Sequence, residues 1–190
     1  LGVVKADAYG HGAAEIAAAL RECGCRYLAV ACPQEALALR RAGETMPILI
    51  LGAVDASFAS EMAANDITLS VECEEKGRAL SAALRPGEQL KIHLKLDTGM
   101  GRLGFRAQDE SSLRAAAALA QLQNLEAEGV FTHFSVSDTP GEEDYTAAQL
   151  ALFLSAVEML EAMIGRRFPL RHCANSGAVL SWREKGAALD

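Results

Sequence analysis

The sequence predicts an α/β fold, a (β/α)8 TIM-type barrel, of which this chain supplies about seven of the eight strands. Short apolar runs alternate with amphipathic helical patterns along all 190 residues. The first four runs recur about every 20 residues, which suits the strand–helix unit of a barrel. The strict alternation predicts parallel strands, because a parallel pair needs a long crossover connection.

Seven runs of β-branched or leucine-rich sequence are the predicted strands. They are VVKA near 3–6, RYLAV near 26–30, PILIL near 47–51, ITLSV near 67–71, LKIHLKL near 90–96, EAEGVFTHF near 126–134 and LRHCA near 170–174.

Helix signals occupy the intervals between these strands. Pro33 opens a helical pattern that Gly43 closes, and Asp55 is placed to cap the next helix. A long helical segment covers 142–165. The residues expected on its apolar face are Leu150, Phe153, Leu154, Val157 and Leu160.

The fifth strand, LKIHLKLD at 90–97, favours a closed barrel over an open doubly wound sheet. Its residues alternate between an apolar face and a face that carries Lys91, His93, Lys95 and Asp97. Helices cover both faces of a doubly wound sheet, whereas the inner face of a barrel can line a site at its end. We expect the eighth strand beyond Asp190 and interpret 1–190 as a partial barrel domain from a longer protein.

Composition narrows the function classes. With 51% hydrophobic residues the chain can bury one substantial core, so we expect one domain. The net charge of −7 disfavours nucleic acid and anionic membranes as partners. The apolar stretch MPILILGAV is too short to cross a bilayer. Five cysteines, odd in number and without a C-x-x-C pair, indicate a reducing compartment, so we expect a cytoplasmic protein.

Lys5, at the end of the first strand, is the first candidate site residue. A buried lysine is costly unless it is paired, so it is either an ordinary ion-paired or solvated lysine or one whose pKa is lowered by desolvation. A lysine of the second kind can bond covalently to a carbonyl cofactor such as pyridoxal phosphate. Tyr9 then offers a hydroxyl for a phosphate, or is a rim aromatic.

The stretch GMGRLG at 99–104 has the glycine spacing of a dinucleotide-binding loop. We reject that function because the preceding strand is charged on one face and the next helical pattern begins only near Asp109. Lys95, Asp97 and Arg102 instead converge on one strand end. Two cations and one anion need more negative charge, from a substrate carboxylate, a cofactor oxygen or a carbamylated lysine. Burial beside Arg102 would lower the pKa of Lys95 toward carbamylation.

His133 ends the sixth predicted strand, and Asn175 and Ser176 end the seventh. His133 is either a core histidine or a site residue. Ser176 opens a helix, where free backbone N–H groups bind phosphate, and barrel closure would bring it next to Lys5. No metal site is expected, because His172 and Cys173 have no partner at ligand spacing.

Four stretches in order, VVKADAYGHGA, LKLDTGMGRLGF, GVFTHFSVSD and LRHCANSGAVL, resemble the alanine racemase family over the whole chain. The resemblance implies pyridoxal 5′-phosphate as cofactor. Lys5 would hold it covalently and act as a catalytic base, Tyr9 and Ser176 would bind its phosphate, and Asn175 would belong to the same binding set.

The resemblance also assigns the remaining site residues. His133 would pack by the pyridine ring, Arg102 would bind the cofactor's phenolic oxygen and the substrate carboxylate, and Lys95 would be a carbamylated lysine that orients Arg102. It further implies a homodimer, with a second base and a C-terminal β domain beyond Asp190.

The implied reaction interconverts L- and D-alanine by two-base transfer of the Cα proton and supplies D-alanine for peptidoglycan. The alternatives are a serine or broad-specificity racemase, a decarboxylase of the same barrel class, and a non-catalytic pyridoxal-phosphate-binding barrel. Because Lys5 serves only one face of a substrate, we expect residues 1–190 alone to be inactive.

Overall fold

The computed structural model describes residues 1–182, and its elements follow the predicted alternation. The strands are β1 (Gly2–Val3), β2 (Leu28–Val30), β3 (Ile48–Ile50), β4 (Ile67–Val71), β5 (Leu90–Asp97), β6 (Phe105–Arg106), β7 (Leu125–Phe131) and β8 (Leu170–His172). The helices are α1 (Lys5–Gly10), α2 (Ala13–Glu22), α3 (Pro33–Arg41), α4 (Ala59–Ala64), α5 (Glu74–Ala83), α6 (Glu110–Ala120), α7 (Glu143–Ile164) and α8 (Ser176–Ser181), with a 3₁₀ turn at Ala56–Phe58.

The strand order is β1-β2-β3-β4-β5-β7-β8, and β6 pairs with β5. The pairs β1–β2, β2–β3, β3–β4 and β7–β8 are all parallel, as predicted. The seven predicted strands are therefore confirmed. β6 was not predicted, because Phe105–Arg106 is too short to show a periodic pattern.

The described residues cluster into two compact units. The first unit comprises Leu1–Ser70, Arg78–Ile92 and Gln123–Glu126. The second unit comprises Val71–Gly77, His93–Leu122 and the described residues from Ala127 onward. Every residue of β2, β3 and β4 is buried, as expected for parallel strands covered on both faces. The largest fully buried side chains of the second unit are Phe134 and Phe153.

The predicted helix signals are present. Pro33 occupies the first turn of α3, and Gly43 beyond its end has φ +87°, a left-handed conformation that glycine adopts freely. The carboxylate of Asp55 accepts a hydrogen bond from the backbone N–H of Ser57. Asp55 therefore caps this helical segment as predicted, although its first turn is 3₁₀.

The buried face of α7 differs from the prediction at one position. Leu154, which the pattern places on the apolar face, is 36% exposed, whereas Leu150, Phe153, Val157 and Leu160 are buried. The polar side chains of Thr146 and Gln149 are buried on this face instead. The sequence pattern identified only the apolar residues of this face, whereas polar groups are also stable in the interior where they are hydrogen-bonded.

Among the helices in residues 1–182, α7 alone has the length and composition of a membrane-spanning helix. Core helices of soluble proteins meet the same criteria, so this is weak support for a membrane span. Phe153 and Leu160 of α7 are fully buried within the protein.

The segment after β1 differs most from the prediction. The sequence predicts a strand over 3–6, but β1 ends at Val3 and Lys5 begins α1. The residues Ala6–Tyr9 have φ between 51° and 57°, so α1 is a turn of left-handed helix. This conformation costs about 1–2 kcal/mol for each L-residue other than glycine. Other contacts must therefore hold this turn in place.

Candidate active site

Lys5 is partly buried and directly precedes the left-handed turn. The backbone N–H of Ala6 donates to Glu35 Oε1 at 2.8 Å, and the N–H of Ala31 donates to Glu35 Oε2 at 2.7 Å. On the other side of the turn, Asp7 Oδ1 accepts from the N–H of Ala13 at 2.8 Å. These charge-assisted bonds offset part of the conformational cost of the turn.

Tyr9 is the last residue with left-handed φ and ψ before Gly10. It is 62% exposed, so core packing does not enclose its ring. A phenol in this position is accessible to a ligand and can donate a hydrogen bond to it.

The loop that carries Arg102 is built on the end of β5. Asp97 Oδ1 accepts from the N–H of Gly99 at 2.9 Å and from that of Gly101 at 3.0 Å. At Gly104, φ is +133° and an added Cβ would lie 2.6 Å from the backbone nitrogen of Asp97. The loop therefore folds tightly back on the strand end, requires glycine there, and leaves Arg102 exposed.

α7 supplies a further contact to this loop. The hydroxyl of Tyr145 donates to the carbonyl oxygen of Gly99 at 2.8 Å. The loop is thus held by Asp97 from within and by Tyr145 from α7. It continues into β6 rather than opening a helix, which agrees with the rejection of a dinucleotide loop.

Lys95 lies on β5 and is only 6% exposed. Burial first, and the charge of Arg102 second, lower the pKa of Lys95 to about 8, against the opposing charges of Asp97 and Glu72. The predicted direction is therefore confirmed. At pH 7 roughly a tenth of such lysines carry a neutral amine. A neutral amine is the form that attacks carbon dioxide.

A row of ring contacts extends from Lys95. Its Nζ lies 4.7 Å from the ring centroid of Phe131, within the range of a cation–π contact. The Phe131 ring stacks on His172 with centroids 4.8 Å apart and planes 4° from parallel. His172 Nε2 lies 2.9 Å from His93 Nδ1, and His93 Nε2 lies 3.5 Å from Glu128 Oε1.

The two imidazoles share the hydrogen bond between them, so one nitrogen donates and the other accepts. Burial and the neighbouring His93 lower the pKa of His172 well below its usual range. His172 is therefore neutral at pH 7. Sequence reasoning placed His93 on the polar face of β5. It did not identify His172 as the partner of His93, because the two residues lie far apart in the sequence.

His133 follows β7 and is partly buried. Ser176 is the first residue of α8, as predicted, and is exposed. The side chain of Asn175 caps this helix: its Oδ1 accepts from the N–H of Ala178 at 2.9 Å and from the Ser137 hydroxyl at 2.6 Å. Asn175 thus positions the start of α8, and its binding to a cofactor stays a prediction.

Sequence reasoning missed Gln149, which connects the segments after β5 and β7. Its Oε1 accepts from the N–H and the hydroxyl of Ser135, and its Nε2 donates to Thr98 Oγ1. Thr98 Oγ1 lies 2.9 Å from Thr132 Oγ1. The available signal was a glutamine on an apolar helix face, one turn after Tyr145.

Within residues 1–182, no group of three or more His, Cys, Asp or Glu side chains could hold a metal ion. The potential ligand-binding groups are the amine of Lys5, the phenol of Tyr9, the guanidinium of Arg102 and the imidazole of His133.

These groups and the hydroxyl of Ser176 follow the carboxyl ends of parallel strands, where barrel enzymes carry their sites. The strand order and the alternation of strands and helices are those of a β/α-barrel protein. The family model described as alanine racemase, N-terminal domain, matches residues 1–190. The chain belongs to this family.

Curated relatives agree with this assignment. The chain is 43% identical over 183 residues to an alanine racemase of Desulfovibrio desulfuricans, covering 96% of this chain and 48% of that protein. It is 41% identical over 185 residues to an alanine racemase of Methanococcus maripaludis, covering 97% of this chain and 49% of the relative. The chain thus spans about half the length of the curated relatives it matches.

Solved structures show the same fold. The alanine racemase of Clostridium difficile 630 in complex with cycloserine superposes with a TM-score of 0.88 at 36% identity, covering 94% of this chain and 48% of that one. A histidine racemase from Leuconostoc mesenteroides subsp. sake gives 0.78 at 31% identity, covering 94% and 46%. The predicted (β/α)8-barrel class is confirmed.

Proposed function

We propose that this chain belongs to a pyridoxal-phosphate-dependent racemase that interconverts L- and D-alanine. The term natural-length protein is used below for a polypeptide as long as the curated relatives, of which this chain spans about half. The observation that carries this proposal is Lys5, placed after the first strand on a turn held by hydrogen bonds, in a chain 43% identical to an alanine racemase.

The available groups fit this cofactor chemically. Lys5 supplies an amine for its aldehyde, and Tyr9 and Ser176 supply hydroxyls for its phosphate. Ser176 also begins a helix, where backbone N–H groups favour anions. His133 supplies a flat ring to pack beside a pyridine, and Asn175 orients the first turn of α8.

When bound, pyridoxal phosphate withdraws electron density from the Cα of an attached amino acid and makes its proton removable. Lys5 takes or returns that proton on one face. Arg102 binds the substrate carboxylate and the phenolic oxygen of the cofactor. The opposite face requires a second base, and we propose that the partner subunit of a homodimer supplies it.

Lys95 is the proposed carbamylated lysine. Its neutral amine attacks carbon dioxide, forming an N–C bond and releasing one proton, and the anionic product offsets the charge of Arg102. The lowered pKa of Lys95 supports this role, because an ordinary lysine carries far less neutral amine at pH 7.

Alanine is the preferred substrate in this proposal, with the product supplied in the cytoplasm for peptidoglycan. The fold match to a histidine racemase makes a broader amino-acid specificity the second candidate.

The test is a racemisation assay on the natural-length protein with L-alanine, L-serine and L-histidine, followed by chiral chromatography. Conversion of alanine at a kcat/KM at least ten times that for the other two supports the proposal. Equal conversion of all three indicates broad specificity. No inversion of any amino acid in the presence of pyridoxal phosphate contradicts the proposal.

A further inference from the structure

Glu35 makes an unusual pair of bonds within the first unit. It lies in the first turn of α3, and its carboxylate oxygens accept from two peptide N–H groups in different segments. The Ala31 donor lies just before its own helix. The Ala6 donor lies 29 positions away in the chain, next to Lys5.

Helix capping explains only one of these bonds. A glutamate in the first turn of a helix often accepts from a backbone N–H just before that helix. The Ala31 bond is of this kind. The bond from Ala6 satisfies no backbone group of α3, so helix capping does not explain it. Its effect is on the segment that contains Ala6.

That effect falls on Lys5. The peptide unit between Lys5 and Ala6 is planar, so fixing the Ala6 N–H also fixes the orientation of the Lys5 carbonyl. Ala6 begins the run of left-handed residues, with φ 51° and ψ 49°. Without an external partner this peptide is free to relax toward the more stable right-handed or extended conformations.

We propose that Glu35 is a positioning residue for Lys5: it ties the Lys5–Ala6 peptide to the end of β2 and so fixes the backbone from which the lysine side chain extends. The inference rests on the proposed function, in which Lys5 bonds covalently to pyridoxal phosphate.

The structure offers a shape-conserving test. Glu35 is partly buried and borders a cavity of about 390 Å³, so Glu35→Gln does not overpack the site. The amide retains one acceptor oxygen and turns an N–H2 group toward the second N–H donor. One of the two backbone bonds is therefore lost. Glu22→Gln, at the exposed end of α2, is the matched control.

Two measurements on the natural-length protein test the proposal. The first is hydrogen exchange without cofactor, where Glu35→Gln should speed exchange at least tenfold in residues 5–12. The second is modification of Lys5 by added pyridoxal phosphate, trapped with borohydride and mapped by peptide mass. Because charge-assisted bonds are among the stronger ones, we expect this rate to fall about 10- to 100-fold in Glu35→Gln and not in Glu22→Gln.

A pure helix cap predicts a different result: faster exchange only at Ala31 and the start of α3, with unchanged labelling of Lys5. The same result in Glu35→Leu, which has a similar volume and accepts from neither N–H group, overturns the proposal. Absence of label on Lys5 in the wild type instead refutes the proposed function, while the exchange measurement still tests the Ala6 bond.

A second variant and a wild-type measurement cover the case in which Glu35→Gln does not fold. Glu35→Asp is one methylene shorter and cannot reach both N–H groups, so it should also slow labelling of Lys5. In the wild type, the exposed residue Ala6 should still show a slowly exchanging amide. Rapid exchange of that amide overturns the proposal.

Discussion

At the scale of the residue, Lys95 shows how a charged side chain is retained in a core. Its Nζ contacts the Phe131 ring, and burial with Arg102 nearby lowers its pKa to about 8. The sequence allowed this direction to be predicted, because alternation along β5 placed Lys95 on the same face as Asp97. It could not reveal Phe131, which comes from another strand.

The lowered pKa of Lys95 makes stability depend on pH. Between about pH 8 and 10.5 the unfolded lysine holds a proton that the folded one has released, so wild-type stability rises with pH in this window. Lys95→Met removes the cost of the buried charge. We expect it to be more stable than wild type by up to about 3 kcal/mol at pH 7, with the difference shrinking towards pH 10.

Urea unfolding in buffers freed of carbon dioxide measures this difference. Lys91→Met is the control, because Lys91 is partly exposed and pairs with Asp66 at 2.7 Å. This control should show no stabilisation at pH 7. A Lys95→Met variant that is less stable than wild type at pH 7 would contradict the assigned cost of burial.

At the scale of the element, α7 holds two loops as well as the core. Tyr145 bonds the loop that carries Arg102, and Gln149 bonds both Thr98 and Ser135. Helical periodicity predicted the helix, but it assigned buried positions by hydrophobicity. It therefore grouped the exposed Leu154 with the apolar face and missed the buried Gln149.

The contribution of Gln149 can be measured. Gln149→Leu keeps a similar volume but leaves the N–H of Ser135 and the hydroxyl of Thr98 without this partner. We expect a loss of about 1–3 kcal/mol in the free energy of unfolding. Gln108→Leu, at an exposed position, should change it by less than about 0.5 kcal/mol. Equal urea midpoints for the two variants would show that this network contributes nothing to stability.

The sequence predicted strands and helices better than the turn after β1. Apolar runs located β2, β3, β4 and β8, because buried parallel strands leave a direct hydrophobic signal. The left-handed turn at Ala6–Tyr9 leaves none, since alanine and tyrosine rarely adopt this conformation. Its support comes from Glu35, and no local pattern shows a bond over 29 positions.

At the scale of the whole molecule, the chain contains three tyrosines. Each of them has a hydrogen bond or a proposed role other than that of a second catalytic base. The hydroxyl of Tyr27 donates to Thr68 Oγ1 at 2.7 Å, and that of Tyr145 donates to the Gly99 carbonyl. Tyr9 is the proposed phosphate ligand. In the proposed function Lys5 is the base for one face of the substrate, and none of the three tyrosines is assigned to the other face.

We expect the polypeptide 1–190 alone not to racemise alanine. With pyridoxal phosphate and L-alanine in deuterated water, Cα deuteration without inversion would be the signature of Lys5 acting alone. Loss of one positioned base costs about 10²–10⁴-fold in rate. Circular dichroism confirms that the polypeptide is folded before the assay. Racemisation at the rate of the natural-length protein would contradict the requirement for a second base.

The covalent site on Lys5 is the central claim, and borohydride reduction of the natural-length protein with pyridoxal phosphate tests it most directly. Peptide mass mapping should place a single reduced pyridoxyl group on the peptide that contains Lys5, and Lys5→Ala should remove this label. Lys95 should remain unlabelled, because it is buried beside Phe131. A label on any lysine other than Lys5, or no label in the folded wild type, would contradict the account.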